Sequence, residues 1–78
     1  MPRFFFNVQG SATIEDKDGT VLDSPADVHD LAVERARELL AEGSAQGFDR
    51  TGWSFRITDE KGRTVLNFRF GEALQKTF

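Results

Sequence analysis

Hydrophobic and polar positions alternate with period two near both ends of the chain and with a helical period in the middle. Residues 3–8 read Arg-Phe-Phe-Phe-Asn-Val. As a strand they place Phe4, Phe6 and Val8 on one face and Arg3, Phe5 and Asn7 on the other. A turn is expected at residues 9–11 and a short extended piece at 12–15. Asp16-Lys17-Asp18-Gly19 then reads as a tight turn, because Asp bonds nearby backbone N–H groups and Gly accepts positive φ. Residues 20–22 continue as a short strand.

The helix signal is the strongest in the chain. Ser24 is a good N-cap, Pro25 suits the first helical position, and Asp27 favours the positive end of the dipole. Val28, Leu31, Ala32, Ala36, Leu39 and Leu40 recur at spacings of three and four and define one apolar stripe. Asp30, Glu34, Arg37, Glu38 and Glu42 fall on the opposite side. Gly43 is a natural stop, so the pattern predicts a helix over residues 25–42.

Residues 43–52 hold three glycines and read as a loop, with Phe48 expected to pin it to the core. Alternation returns at residues 53–58, with Trp53, Phe55 and Ile57 on one side and Ser54, Arg56 and Thr58 on the other. Asp59-Glu60-Lys61-Gly62 is a second turn. In the return strand, residues 64–70, Leu66, Phe68 and Phe70 face inward and Val65, Asn67 and Arg69 outward. A four-residue loop would place Phe55 opposite Leu66 and Trp53 opposite Phe68, keeping both pairs on the inner face. The stretch 14–22 resembles 57–66, either as a duplicated hairpin or because hairpins reuse the same turn chemistry. Residues 71–78 read as a loosely held tail, with Leu74 and Phe78 as anchors.

The order strand, short strands, helix, strand, strand predicts an α+β domain. One helix covers one face of a three- to five-stranded, mainly antiparallel sheet, in the order β-β-(β)-α-β-β. The expected core is Phe4, Phe6, Val8, Ile14, Val28, Leu31, Ala36, Leu39, Leu40, Trp53, Phe55, Ile57, Leu66, Phe68 and Phe70. With 78 residues the whole chain, 1–78, reads as a single domain. A chain this short buries roughly 60–65% of its unfolded surface. Its core is thin, and self-association would help it.

Composition narrows the chemistry. The chain has no Cys and one His, which removes disulfides, thiolate metal sites and cysteine nucleophiles. The longest apolar run, Phe4-Phe5-Phe6, is too short for a signal peptide or a membrane span, so a cytoplasmic location without membrane contact is expected. The formal net charge is −3. Nine acids against four bases in residues 1–42 give −5, and four against six in residues 43–78 give +2.

No catalytic constellation emerges, and neither enzyme activity nor a cofactor or metal is expected. His29 lies on the first turn of the helix beside Asp30, which does not face it, and reads as a solvated side chain. Asp16…Gly19 fails the calcium-loop pattern, whose first and last ligand positions would fall on Ile14 and Pro25. Gly43…Gly47…Gly52 lacks the Lys-Ser/Thr of a phosphate loop. Carboxylate pairs such as Glu15/Asp16 and Asp59/Glu60 sit in turns, open to water.

The outer face of the sheet is the candidate site. Alternation gives it Arg3, Phe5 and Asn7, then Arg56, then Val65, Asn67 and Arg69, with Arg63 at its rim. Such a mixture serves as a solvated face, as a protein interface for self or another chain, or as a nucleic-acid surface in which Phe5 stacks bases and the arginines meet phosphates. Net negative charge weighs against the last.

The opening Met1-Pro2-Arg3-Phe4-Phe5-Phe6, the Asp16…Gly19 turn with Leu22-Asp23, the Ala32/Ala36 helix, Trp53, Asp59-x-x-Gly62 and Phe70 together resemble a family of short bacterial domains of unknown function. Its members open Met-Pro-Arg-Tyr-Phe-Phe-His-Val. The resemblance covers nearly the whole chain and departs at Phe4 and Asn7, so chemistry carried by that His would be missing here. It implies a small bacterial protein without established activity or cofactor. The combined expectation is a non-catalytic binding or assembly module that uses an open sheet face or edge, through self-association or an unknown protein partner. A nucleic-acid-binding module is the alternative. An antitoxin-like partner protein is a further one, by analogy of layout alone.

Overall fold

Strand β1 (Arg3–Gln9) lies in the interior of the sheet, and the alternation of its side chains sets the two faces. A computed structural model of the chain describes residues 2–76. β2 (Thr13–Ile14) and β3 (Thr20–Val21) both pair with β1, antiparallel, with Val8 opposite Ile14 and Phe4 opposite Thr20. Strand β4 (Ser54–Thr58) pairs antiparallel with β1, and β5 (Thr64–Arg69) pairs antiparallel with β4. The order is β2-β1-β4-β5, with β3 also on β1. The observed fold is α+β, with element order β-β-β-α-β-β.

The Asp16…Gly19 turn is not the tip of a hairpin. Residues 13–21 run along β1 as one interrupted edge strand, and the turn bulges out of it. The duplicated-hairpin reading is thereby overturned. The β4–β5 hairpin is real, but its register differs by two residues from the expectation. Phe55 stands opposite Phe68, and Ile57 opposite Leu66. The Asp59 N–H donates to the Arg63 carbonyl at 2.9 Å, which shortens the loop to Glu60, Lys61 and Gly62. An irregularity beside Ile57 and Thr58 supplies the second shift. A change of two keeps every side chain on its expected face.

Helix α1 spans Pro25–Ala45, and Ser24 caps it by accepting the Asp27 N–H at 3.3 Å. It runs through Gly43, the expected stop. Gly43 is buried against Arg50, where a Cβ would meet Arg50 Cδ at 2.7 Å. The stop is Gly47, at φ +84°. The Phe48 N–H reaches the Gly43 carbonyl at 2.7 Å and the Gly47 N–H reaches that of Ser44 at 3.0 Å. This is the Schellman pattern, which ties off the last helical carbonyls. No helix among the described residues is long and apolar enough to cross a membrane.

The core lies between α1 and the inner sheet face. Phe55, Ile57 and Phe70 are fully buried, each contributing roughly 1.5–3 kcal/mol before entropy is subtracted. Phe6 meets Phe55 edge to face at 5.8 Å. Val8, Leu31, Leu39, Trp53 and Leu66 pack around this core half-buried. The buried stripe of α1 is rotated toward Val33 and His29. His29 is half-buried, its ring 5.6 Å from that of Phe68, instead of being solvated. A 3-10 helix, Phe70–Lys76, also packs along α1 and buries Ala73. Arg37 Nε donates to the Ala73 carbonyl at 3.3 Å. Leu74 is exposed, and Phe78 lies outside the described residues.

Two expected core residues are outside it. Ile14, on the two-residue edge strand β2, is 57% exposed, and a cleft lined by Phe6, Asp16, Thr20, Arg35, Leu39 and Glu42 lies between α1 and the sheet. Phe48 is 62% exposed. Arg50 anchors the loop in its place: Nη1 donates to the Leu39 carbonyl at 3.0 Å, and the guanidinium lies 4.8 Å from the Trp53 ring.

Candidate functional site

The outer face is organised as rows across the strands. Asn7, Arg56 and Asn67 form one row, and Gln9, Ser54 and Arg69 the next. Arg56, Asn67 and Arg69 are exposed, and Val65 is 46% exposed beside them. Arg56 Nε donates to Thr64 Oγ1 at 3.2 Å, which holds its stem across the strands. No side-chain partner is found for Arg69 among the described residues. Arg63 sits on the hairpin tip, where Nε meets Asp59 Oδ2 at 2.9 Å. Asp59 also accepts the backbone N–H groups of Arg63 and Lys61. The Arg63 N–H above all, with help from Lys61 and the Arg63 side chain, outweighs desolvation and lowers the Asp59 pKa.

The other half of the face is partly shielded, with Arg3 exposed and Phe5 half-buried. The interrupted edge folds its turn over Arg3 and Phe5, and a Cβ on Gly19 would lie 2.8 Å from both side chains. Gly19 takes φ +72° to get there, a conformation costly for other residues. Arg3 donates to the Asp18 carbonyl at 2.8 Å. Phe5 is consequently half-buried, and alternation alone does not make it an open aromatic platform.

A polar clamp between Asp16 and Asn7 holds the turn down, and sequence reasoning missed it. Asp16 Oδ2 accepts the Phe6 N–H and Oδ1 accepts the Gly19 N–H, each at 3.0 Å. In return the Asp16 N–H donates to Asn7 Oδ1 at 3.0 Å, while Asn7 Nδ2 reaches the Arg56 carbonyl at 3.0 Å. Partial burial pushes the Asp16 pKa up. The N–H groups of Phe6, Gly19 and Asp18, with the charge of Arg35, more than offset this and leave it lowered. Asn7 is thus a structural tie. The only available signal was Asn at an inner strand beside an Asp-rich turn.

A second concavity lies on the far side of the molecule. It measures about 800 Å³ and is bounded by Leu40, Ala41, Phe48, Arg50, Ala73 and Leu74. Phe48 and Leu74 are its exposed apolar residues.

The fold and site define a small α+β domain, its helix on one sheet face and an arginine- and amide-bearing strip on the other. A family model described as a domain of unknown function (DUF6894) matches residues 3–71, and the chain belongs to that family. No curated protein and no solved structure matches it significantly.

Proposed function

We propose that this domain is a non-catalytic binding and assembly module that works through the outer strip of β4 and β5 and the edge beside it. The observation that carries this reading is the joint exposure of Arg56, Asn67 and Arg69 on adjacent rows. Arginine and amide side chains on a flat, partly apolar strip suit a protein partner. With Phe5 half-buried beside the Gly19 turn, a nucleic-acid reading has less ring surface for stacking. The net charge of −3 opposes it further. The setting we propose is the bacterial cytoplasm, in keeping with the cysteine-free sequence.

Site-directed photo-crosslinking tests the reading. A photoreactive residue at Arg56 is compared in cells with one at Glu34, on the exposed side of α1. Adducts are expected from the Arg56 position well above those from Glu34. Equal or weaker capture at Arg56 would remove the strip as the working surface.

A further inference from the structure

The outer border of β5 carries a row of unused backbone groups, and we infer that a second copy of this chain pairs with it, β5 against β5, about a two-fold axis at Phe68. This deepens the proposed function by naming its partner, and it rests on that reading.

The phase of the ladder identifies the unused groups. The Phe70 N–H donates to the Trp53 carbonyl at 2.8 Å. Adjacent residues of an antiparallel strand alternate in direction. Phe68 therefore turns its backbone groups toward β4, while Asn67 and Arg69 turn theirs away. The far side of the sheet agrees, since the same alternation carried across β4 and β1 leaves the Phe6 N–H pointing off the ladder, where it meets Asp16. Among the described residues no strand pairs with the outer border of β5. Such a row is a template for another strand.

The irregularity beside Ile57 and Thr58 disturbs the ladder at Val65, so the regular stretch begins at Leu66. Pairing centred on Phe68 uses that stretch. Asn67 exchanges backbone bonds with the partner's Arg69, and Arg69 with the partner's Asn67. Charged residues ordinarily guard an edge against pairing. In this register each guanidinium stands opposite an amide, and no two arginines face one another. The border is complementary to itself, as a closed two-fold contact requires.

Sedimentation equilibrium across a concentration series tests this. The wild-type chain is expected to dimerise. Asn67→Pro removes an N–H that β4 does not use, at a position where an edge strand tolerates Pro. It is expected to abolish the dimer while far-UV circular dichroism stays unchanged. Asn67→Glu sets a carboxylate across from the partner's Arg69 and should tighten the dimer, and Asn67→Arg should loosen it, each by roughly three- to tenfold. These two opposite shifts decide the matter even where the Pro chain fails to fold. A wild-type monomer at millimolar concentration, or a dimer indifferent to all three changes, overturns the inference. The crosslinking comparison at Arg56 is read separately and reports on the strip itself.

Discussion

The Asp16 carboxylate takes the place of a strand residue opposite Phe6, accepting its backbone N–H at 3.0 Å where the edge strand is interrupted. Removing it leaves the Phe6 and Gly19 N–H groups without their acceptor. Asp16→Ala is expected to destabilise the domain by about 1–2 kcal/mol, at the low end for charged hydrogen bonds because the site is part-exposed. Urea unfolding measures the loss.

The same carboxylate gives stability a pH dependence. Its pKa is lowered in the folded chain, as are those of Asp59 and Asp49; for Asp49 the cause is hydrogen bonding from Thr51. A lowered folded pKa stabilises the protein above the unfolded value of about 3.9. That stability disappears as pH falls through the folded value. The urea midpoint should be flat near neutrality and drop below about pH 4. Asp16→Asn should show a shallower drop.

Gly47 and Gly43 separate two roles for glycine near the end of a helix. Gly47 has φ +84° with nothing near its missing Cβ, so Gly47→Ala should cost about 1 kcal/mol through backbone strain alone. Gly43 is helical and touches Arg50. Gly43→Ala is expected to destabilise the wild-type chain but to stabilise an Arg50→Ala chain by about 0.5–1 kcal/mol, the helix preference for Ala over Gly. A thermal double-mutant cycle reads this change of sign.

Phe5 and Arg69 should part company under mutation. Phe5→Ala removes the ring under the Gly19 turn and should cost about 1–2 kcal/mol, part of a full Phe burial. Arg69→Glu, at an exposed site, should leave stability within about 0.5 kcal/mol. Chemical denaturation of the two variants side by side checks the contrast.

Much of the fold was legible because it depends on local signals. Ser24-Pro25 announces the helix start, and alternation at residues 3–8 and 53–58 sorts inner from outer side chains. Arg56, Val65, Asn67 and Arg69 lie on the open face for that reason. What was not legible depends on contacts far apart in the chain. Gly43 looks like the stop, yet it is buried against Arg50 inside the helix, and the stop falls at Gly47. The β4–β5 register turned on the Asp59 cap and the irregularity by Thr58. Ile14 and Phe48 look like core, yet among the described residues both stay exposed. Phe5 looks open, but the turn at Gly19 folds back against it and leaves it half-buried.

The broken strand along β1 also bears on the proposed assembly. A layer with two long bare margins accepts neighbours on both sides and can elongate into a fibre. Here one margin is split into two-residue pieces separated by a charged loop, which is poor scaffolding for an incoming chain. Under the proposed pairing, strand addition would be confined to the β5 flank and would end once that flank is occupied.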